Sequence, residues 1–342
     1  MDGAEHEMKK GVKLGILDHT HVCEGRTVAD TLAEAAELAR EAERLGYARY
    51  WVSEHHGMPS LASSSPEILI AHVAAATSRI RVGAGGVMLP HYSAYKVAEN
   101  FRLLEALHPN RIDLGLGRAP GGMPVATRAL REGKLRDADP YPRQVDDLIG
   151  YLHESLPEGH RYAGLLASPS IPTAPELWLL GSSDESARLA GEKGIAFSFA
   201  QFFGTPAGPQ ATRLYRESFR PSALNREPRT MVAVLAICAD TEEEARRLAV
   251  SHELFFLRVE HGFPLPWLPS VETAASYPYT TFELELLAAR RAHRVVGNPA
   301  QVREGLARII REYGADELMI TCPVHDFDKR LRSIRLIREA LE

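Results

Sequence analysis

An arginine and three serines are the residues of this chain best suited to bind an anion. Arg118 directly follows an apolar run flanked by glycines, and Ser182, Ser183 and Ser186 follow the next apolar run. An arginine can bind a phosphate through two parallel hydrogen bonds. Serines at the start of a helix lie beside free backbone N–H groups and the positive end of the helix dipole. Together these residues predict a site for one anion, most naturally a phosphate.

A purely structural role is the alternative for both groups. Arg118 could form a salt bridge at the rim of the fold, and Ser183 could cap the helix that follows it. Asp184 and Glu185 fit this alternative, because carboxylates favour a helix N-terminus and repel a phosphate that they face.

Histidines directly follow two of the predicted strands. His55 and His56 come after Glu54, and His19 and His21 follow the first strand. One histidine of the first pair could donate or accept a proton near neutral pH, although an isolated pair is more often hydrogen-bonded and structural. The His-x-His spacing is typical of zinc sites, but a catalytic zinc needs at least three protein ligands. The ends of strands four, five, six and eight supply none, so we predict no metal.

A pair of glycines lies within an apolar stretch of the third predicted strand. Gly85 and Gly86 permit backbone conformations that other residues cannot adopt, and they let a flat group approach the main chain closely. A tight turn is the alternative, but the apolar run continues over residues 87–89, which a simple turn does not require.

Short apolar runs alternate with helical patterns, and this alternation predicts the elements that position these residues. The predicted strands are residues 12–17, 49–53, 80–85, 112–117, 177–180, 195–199, 231–238 and 318–321. Eight strand–helix units favour an α/β fold, a single closed (β/α)8 TIM-type barrel domain over residues 1–342. A doubly wound open sheet is the competing architecture. The clearest predicted helix has its N-cap at Asn298 and Pro299 in its first turn, and it ends at Gly314.

Three stretches interrupt the alternation, at residues 119–141, 201–209 and 258–294. The first two follow strands four and six and so belong to the carboxyl-end face, where barrel active sites lie. The third is an insertion between strands seven and eight. It is either a surface excursion or a lid or pocket wall, and its aromatic residues are Phe263, Trp267, Tyr277, Tyr279 and Phe282.

The composition is that of an ordinary globular enzyme. The 342 residues are 45% hydrophobic and 25% charged, with a net charge of −5, which argues against disorder and against a generic nucleic-acid binder. No run approaches the roughly 18–20 apolar residues that span a bilayer. Cys23, Cys238 and Cys322 form no CxxC pair, and residues 1–10 are polar. We therefore expect a cytoplasmic protein.

The motifs together resemble the bacterial luciferase-like monooxygenases, which are flavin-dependent two-component barrel enzymes. The resemblance covers nearly the whole chain. It rests on residues 52–56, 82–90, 112–118, 179–183 and 296–299.

The resemblance implies roles for the residues identified above. His55 matches the catalytic histidine beside the flavin ring, and Gly85–Gly86 match a non-prolyl cis peptide bond under that ring. The phosphate of FMN is implied to bind Arg118, Ser182, Ser183 and Ser186. Light-emitting members have a reactive cysteine where this chain has Gly117 and an acidic residue in place of Ser182, so FMN binding is implied and light emission is not.

The implied activity is monooxygenation of a small molecule. Reduced FMN comes from a separate NAD(P)H-dependent flavin reductase, and one atom of dioxygen enters a bulky apolar substrate of specialised metabolism by hydroxylation, epoxidation or Baeyer–Villiger insertion. A homodimer is also implied. A deazaflavin-dependent hydride-transfer enzyme and a non-catalytic flavin-binding protein are the alternatives.

Overall fold

Eight parallel strands form a closed barrel in the computed structural model, which describes residues 12–119, 121–122, 124–132 and 140–342. The strands are β1 Lys13–Asp18, β2 Arg49–Val52, β3 Arg81–Met88, β4 Ile112–Gly117, β5 Glu176–Gly181, β6 Ala196–Ala200, β7 Thr230–Cys238, β8 Val295–Gly297 and β9 Glu317–Thr321. Strands β1 to β7 follow one another around the ring, and β9 closes it between β7 and β1. The predicted TIM-type barrel is therefore confirmed.

Strand β8 is an addition that the sequence did not reveal. It pairs with the last three residues of β7, beyond the part of β7 that pairs with β9. With three residues it is too short to produce a recognisable apolar run. Its effect is to attach the insertion that precedes it to the carboxyl end of β7.

Helices surround the barrel. Their bounds are α1 Val28–Arg44, α2 Pro66–Ala75, α3 Ala94–Leu107, α4 Pro124–Leu130, α5 Tyr141–Leu152, α6 Asp184–Glu192, α7 Gly208–Ser218, α8 Glu242–Glu260, α9 Val271–Ser276, α10 Thr281–Arg291, α11 Pro299–Tyr313 and α12 Phe327–Ala340. The described helices include none with the length and apolar character to cross a membrane. The sequence did not locate α5, and the stretch 258–294 contains the end of α8 together with α9 and α10.

The cap predicted at Asn298 forms as expected. Its side chain accepts a hydrogen bond from the backbone N–H of Gln301, whose side chain accepts one from the N–H of Asn298 at 3.0 Å. Pro299 occupies the first turn, and Gly314 ends α11 in the left-handed region with φ 57°. Both ends of the helix are thus fixed by local sequence.

We expect Asn298→Ala to lower the free energy of unfolding by about 1 kcal/mol, because the backbone N–H of Gln301 loses its acceptor. Asn298→Ser keeps an acceptor and is expected to retain most of the stability. Urea denaturation of the three proteins measures the difference, and equal stability of the alanine and serine variants would contradict the capping role.

A buried ion cluster closes the amino end of the barrel. The Arg49 guanidinium, 2% exposed, donates to Asp113 at 2.6 Å and to Glu317 at 2.8 Å, and the indole N–H of Trp51 donates to Asp113 at 2.8 Å. Trp178 packs against Trp51 above this cluster. These charges are paired and hydrogen-bonded, as burial requires, so the opening of the barrel lies at the carboxyl ends of the strands.

Candidate functional site

A cavity of ≈ 330 Å³ lies over the carboxyl ends of the strands, on the side of β1, β2, β6, β7 and β9. Half of its apolar lining residues are phenylalanines, namely Phe202, Phe203, Phe255 and Phe256. Its polar wall includes His19, His21, His55, His252, Arg290 and Arg294. A mostly apolar cleft with a few convergent polar groups is the usual form of a small-molecule site.

The aromatic residues that the sequence indicated in the 258–294 insertion are not among the described residues that line this cavity. Phe263 and Phe282 are exposed, at 66% and 69%, and the insertion contributes Arg290, His293 and Arg294 instead. The interpretation of the aromatic residues as a pocket wall is therefore wrong for the described cavity. The phenylalanines that do line it come from the end of β6 and from α8.

His55 is held at the cavity by a shared serine hydroxyl. The Ser53 Oγ lies 3.2 Å from Nδ1 of His55 and 3.0 Å from Nδ1 of His19. Since Nδ1 of His55 is engaged, Nε2 is the ring nitrogen that remains for chemistry in the cavity. Burial, with a smaller contribution from His56, lowers the pKa of His55 to about 4. The imidazole is therefore neutral at physiological pH and can accept or donate a proton at Nε2.

The second histidine of the pair has a structural partner. His56 Nε2 lies 2.8 Å from Glu54 Oε1, and the same carboxylate accepts from the Tyr92 hydroxyl at 2.8 Å and from the Met88 backbone N–H at 3.0 Å. This network ties the end of β2 to the end of β3. Of the two adjacent histidines, only His55 lines the cavity.

Three further histidines continue from His55 across the cavity. Ring centroids are 5.8 Å apart for His55 and His19, 5.6 Å for His19 and His21, and 6.3 Å for His21 and His252. Burial lowers the pKa of each, that of His21 to about 3 with help from the Arg330 charge. The His-x-His motif marked two of these residues, but His252 on α8 has no comparable signal in the sequence.

The low pKa of His21 makes stability depend on pH. The unfolded histidine takes up a proton near pH 6.5 and the folded one near pH 3, so the free energy of unfolding falls as the pH drops between these values. The loss approaches about 1.4 kcal/mol per pH unit for this residue. We expect the stability of His21→Asn to fall less steeply with acidification in urea titrations at several pH values. Parallel curves for variant and wild type would contradict a neutral, buried His21.

The glycine pair lies inside β3, where the register with β4 shifts. The Gly85–Gly86 peptide bond is cis, as the resemblance implies. A Cβ on Gly85 would lie 2.8 Å from Leu17 Cδ1, and one on Gly86 would lie 2.7 Å from the carbonyl oxygen of Gly115. Neighbouring atoms of the barrel thus fill the space that a side chain would need at either position.

Arg118 and Ser186 meet at the ends of β4 and β5, where they line a second cavity of ≈ 170 Å³. Ser183 and Ser186 form the capping box of α6, with the Ser186 hydroxyl donating to the Ser183 carbonyl at 2.8 Å. Neither Ser182 nor Ser183 is among the residues described as lining this cavity, and the Ser182 carbonyl accepts from the Thr205 hydroxyl at 2.9 Å. The structure thus brings together part of the predicted anion site, while the capping role predicted as the alternative is also present.

The Glu185 carboxylate forms an ion pair with the Arg118 guanidinium. Its Oε2 accepts from Nη2 of Arg118 at 2.8 Å, and the two side chains are 69% and 44% exposed. The hydrogen bond from Arg118 lowers the pKa of Glu185. Exposed pairs of this kind contribute about 0–1 kcal/mol.

Several known proteins are similar to this chain over nearly its whole length. Residues 12–317 match the family model described as luciferase-like monooxygenase. The uncharacterized protein YwcH of Bacillus subtilis is 50% identical over 96% of this chain and 99% of its own. The luciferase-like monooxygenase of Escherichia coli K12 is 36% identical over 97% and 98%. The N-acetyl-S-alkylcysteine monooxygenase of B. subtilis is 36% identical over 96% and 98%.

Solved structures show the same barrel. Apo-MsnO8 is 40% identical, with a TM-score of 0.88 over 96% of this chain and 97% of that one. Two more distant structures share only the fold. The oxygenating constituent of 3,6-diketocamphane monooxygenase of Pseudomonas putida, solved with FMN, is 20% identical with a TM-score of 0.69 over 97% and 98%. An F420-dependent secondary alcohol dehydrogenase is 14% identical with a TM-score of 0.70 over 97% and 99%.

Proposed function

The chain belongs to the luciferase-like monooxygenase family, and from this premise we propose that it is a monooxygenase that uses reduced FMN and dioxygen to oxidise an organic substrate. The observation that carries the proposal is the placement of His55. It presents a neutral imidazole with an available Nε2 to a largely apolar cavity at the barrel mouth.

The residues at the strand ends fit FMN. Arg118 and the N-terminus of α6, with Ser183 and Ser186, offer donors suited to a phosphate at the ends of β4 and β5. We assign the flat ring to Gly85 and Gly86 on neighbouring β3, where the main chain carries no side chains. We also assign Ser182 to the proposed phosphate-binding turn, because it directly precedes Ser183, the N-cap of α6. Bound reduced FMN would supply the activation of dioxygen and the transfer of one oxygen atom to the substrate.

The protein's own residues have two roles: they hold or release a proton, and they keep water out of the site. His55 can hold or release a proton at Nε2, because Ser53 fixes Nδ1 and burial keeps the ring neutral. The phenylalanine walls exclude water from the reacting atoms. His55 and the phenylalanines line the cavity at the ends of β1, β2, β6, β7 and β9, whereas the proposed phosphate site lies at the ends of β4 and β5.

The remaining parts of the proposal concern partners and substrate. We place the enzyme in the cytoplasm as a homodimer that receives reduced FMN from a separate NAD(P)H-dependent reductase. The apolar walls suit a bulky apolar group, and hydroxylation, epoxidation and Baeyer–Villiger insertion are the reaction types considered. Because one relative is named for N-acetyl-S-alkylcysteine, alkyl thioethers are also rational first probes.

The test supplies the protein with FMN, a flavin reductase, NADH and isotopically labelled dioxygen. Probes are a cyclic ketone, an alkene and N-acetyl-S-benzylcysteine. We expect one labelled oxygen atom in at least one probe, and slower reoxidation of reduced FMN with the protein than in buffer. If reduced FMN is reoxidised at the same rate as in buffer and no labelled product forms, the protein binds flavin but does not catalyse oxygenation. Preferential binding of the deazaflavin F420 over FMN would replace the proposal with hydride transfer.

A further inference from the structure

The cavity at the barrel mouth has a basic side that the proposed monooxygenase chemistry does not use. Arg290, His293 and Arg294 line it, at the end of α10 and in the segment that leads to β8. They lie on the part of the mouth formed by β7 and α8, whereas Arg118 follows β4. Two separate positive groups therefore border the opening of the barrel.

The charges on this side do not balance among the described residues. Glu253 accepts from Arg291 Nε and Nη2, both at 2.8 Å, and Glu260 pairs with Arg290. Arg294 is left with a contact of 3.5 Å to Glu253 Oε1, an oxygen that Arg291 already uses. Three guanidinium groups thus share two carboxylates.

Arg294 is the group that is buried without adequate compensation. Its side chain is 7% exposed, and the 3.5 Å contact with Glu253 Oε1 is the guanidinium's ion pair among the described residues. Burial, together with the neighbouring charges of Arg290 and Arg291, lowers its pKa although Glu253 opposes the change. A buried guanidinium is costly unless it is paired and hydrogen-bonded. Glu253 and Arg291 border a neighbouring cleft that Arg294 also lines, whereas the described lining of the barrel-mouth cavity contains no carboxylate. An anion in the barrel-mouth cavity would therefore supply a partner for Arg294 on that side.

The surroundings of Arg294 indicate what such an anion would be attached to. Arg290 stacks on the Phe256 ring, with its Cζ 4.5 Å from the centroid, and Phe255 lines the same wall. Nδ1 of His252 is buried with no hydrogen-bond partner among the described residues. The cavity therefore offers a cation and an unused imidazole nitrogen at one side and apolar rings beside them.

We propose that the substrate carries a carboxylate, which binds to Arg294 beside Arg290 and His252, and an apolar portion that packs on the phenylalanines toward His55. This inference rests on the proposed function, because it assigns the cavity at His55 to the substrate. It narrows the substrate class from apolar molecules to apolar acids.

The test measures binding of octanoate and octanamide, which differ in charge and share one alkyl chain, to the FMN-saturated protein by isothermal titration calorimetry. We expect octanoate to bind about 10- to 100-fold more tightly, the range of a charge-assisted hydrogen bond. Arg294→Met should abolish this preference. Arg40→Met removes the same charge from an exposed position on α1, away from both clefts that Arg294 borders, and should leave the preference unchanged.

A variant with the opposite expected effect separates binding from misfolding. Glu253→Gln removes the carboxylate nearest to Arg294, so octanoate should bind more tightly than to the wild type. Equal affinities of octanoate and octanamide for the wild type, or no binding of either, would overturn the proposal. So would a preference that survives in Arg294→Met.

The flavin phosphate is the other anion that could occupy this side, and a parallel titration distinguishes it. FMN and riboflavin are titrated into wild type and Arg294→Met. We expect the preference for FMN over riboflavin to be the same in both proteins. Its loss in Arg294→Met would assign Arg294 to the cofactor and overturn the substrate assignment. Failure of FMN to bind the wild type would instead remove the proposed function.

Discussion

Replacing His55 with alanine is expected to lower the rate of oxygen transfer by a factor of about 10²–10⁴, the usual contribution of a positioned general acid or base. The affinity for FMN should stay at the wild-type value, because the proposed phosphate site lies at the ends of β4 and β5. Labelled product formed per unit time, with reductase in excess, measures the first quantity. Titration with oxidised FMN, followed by flavin fluorescence, measures the second.

The control for this variant removes a histidine elsewhere. His72 is exposed on α2, so His72→Ala should match the wild type in both measurements. A His55→Ala protein that oxidises the substrate at the wild-type rate would contradict a proton-handling role. Loss of FMN affinity together with rate would show that His55 acts in cofactor binding instead.

The second large effect concerns the cofactor. Arg118→Ala should weaken FMN binding by about 1.5–3 kcal/mol, the range for a hydrogen bond to a charged group. Riboflavin lacks the phosphate, so its affinity should not change. Titrating both flavins into both proteins separates loss of the phosphate contact from general damage to the site.

Glu185→Gln is the matched variant with the opposite sign. The carboxylate now pairs with Arg118, and its removal should strengthen FMN binding modestly, by up to about 1 kcal/mol for so exposed a pair. Unchanged FMN affinity in Arg118→Ala, or equal loss for FMN and riboflavin, would remove Arg118 from the phosphate site.

The order of strands and helices could be predicted because apolar runs and caps are local signals. Asn298 and Gly314 marked the ends of α11 from sequence, and eight apolar runs matched the eight barrel strands. The three-residue strand β8 could not be found, since its pairing depends on the tertiary position of β7. The glycine pair was identified, but that it lies within β3 at a register shift follows only from the strand pairing.

The candidate site was predictable where it is built from strand ends. His55 and Arg118 closely follow strands and Ser186 lies in the first turn of the helix after β5, and the barrel geometry brings such residues to one face. His252 and Arg294 lie on α8 and in the insertion, where nothing in the local sequence indicates which side chains turn toward the mouth. The ion pair between Arg118 and Glu185 likewise depends on the distance between two strand ends, which the sequence does not specify.

A crystal structure of the protein with oxidised FMN tests the central claim most directly. We predict that the phosphate lies between Arg118 and the N-terminus of α6, that Glu185 has moved from Arg118, and that the isoalloxazine ring rests on Gly85 and Gly86 with His55 facing it. A phosphate bound at Arg294, or a flavin ring that lies away from the glycine pair, would contradict the account.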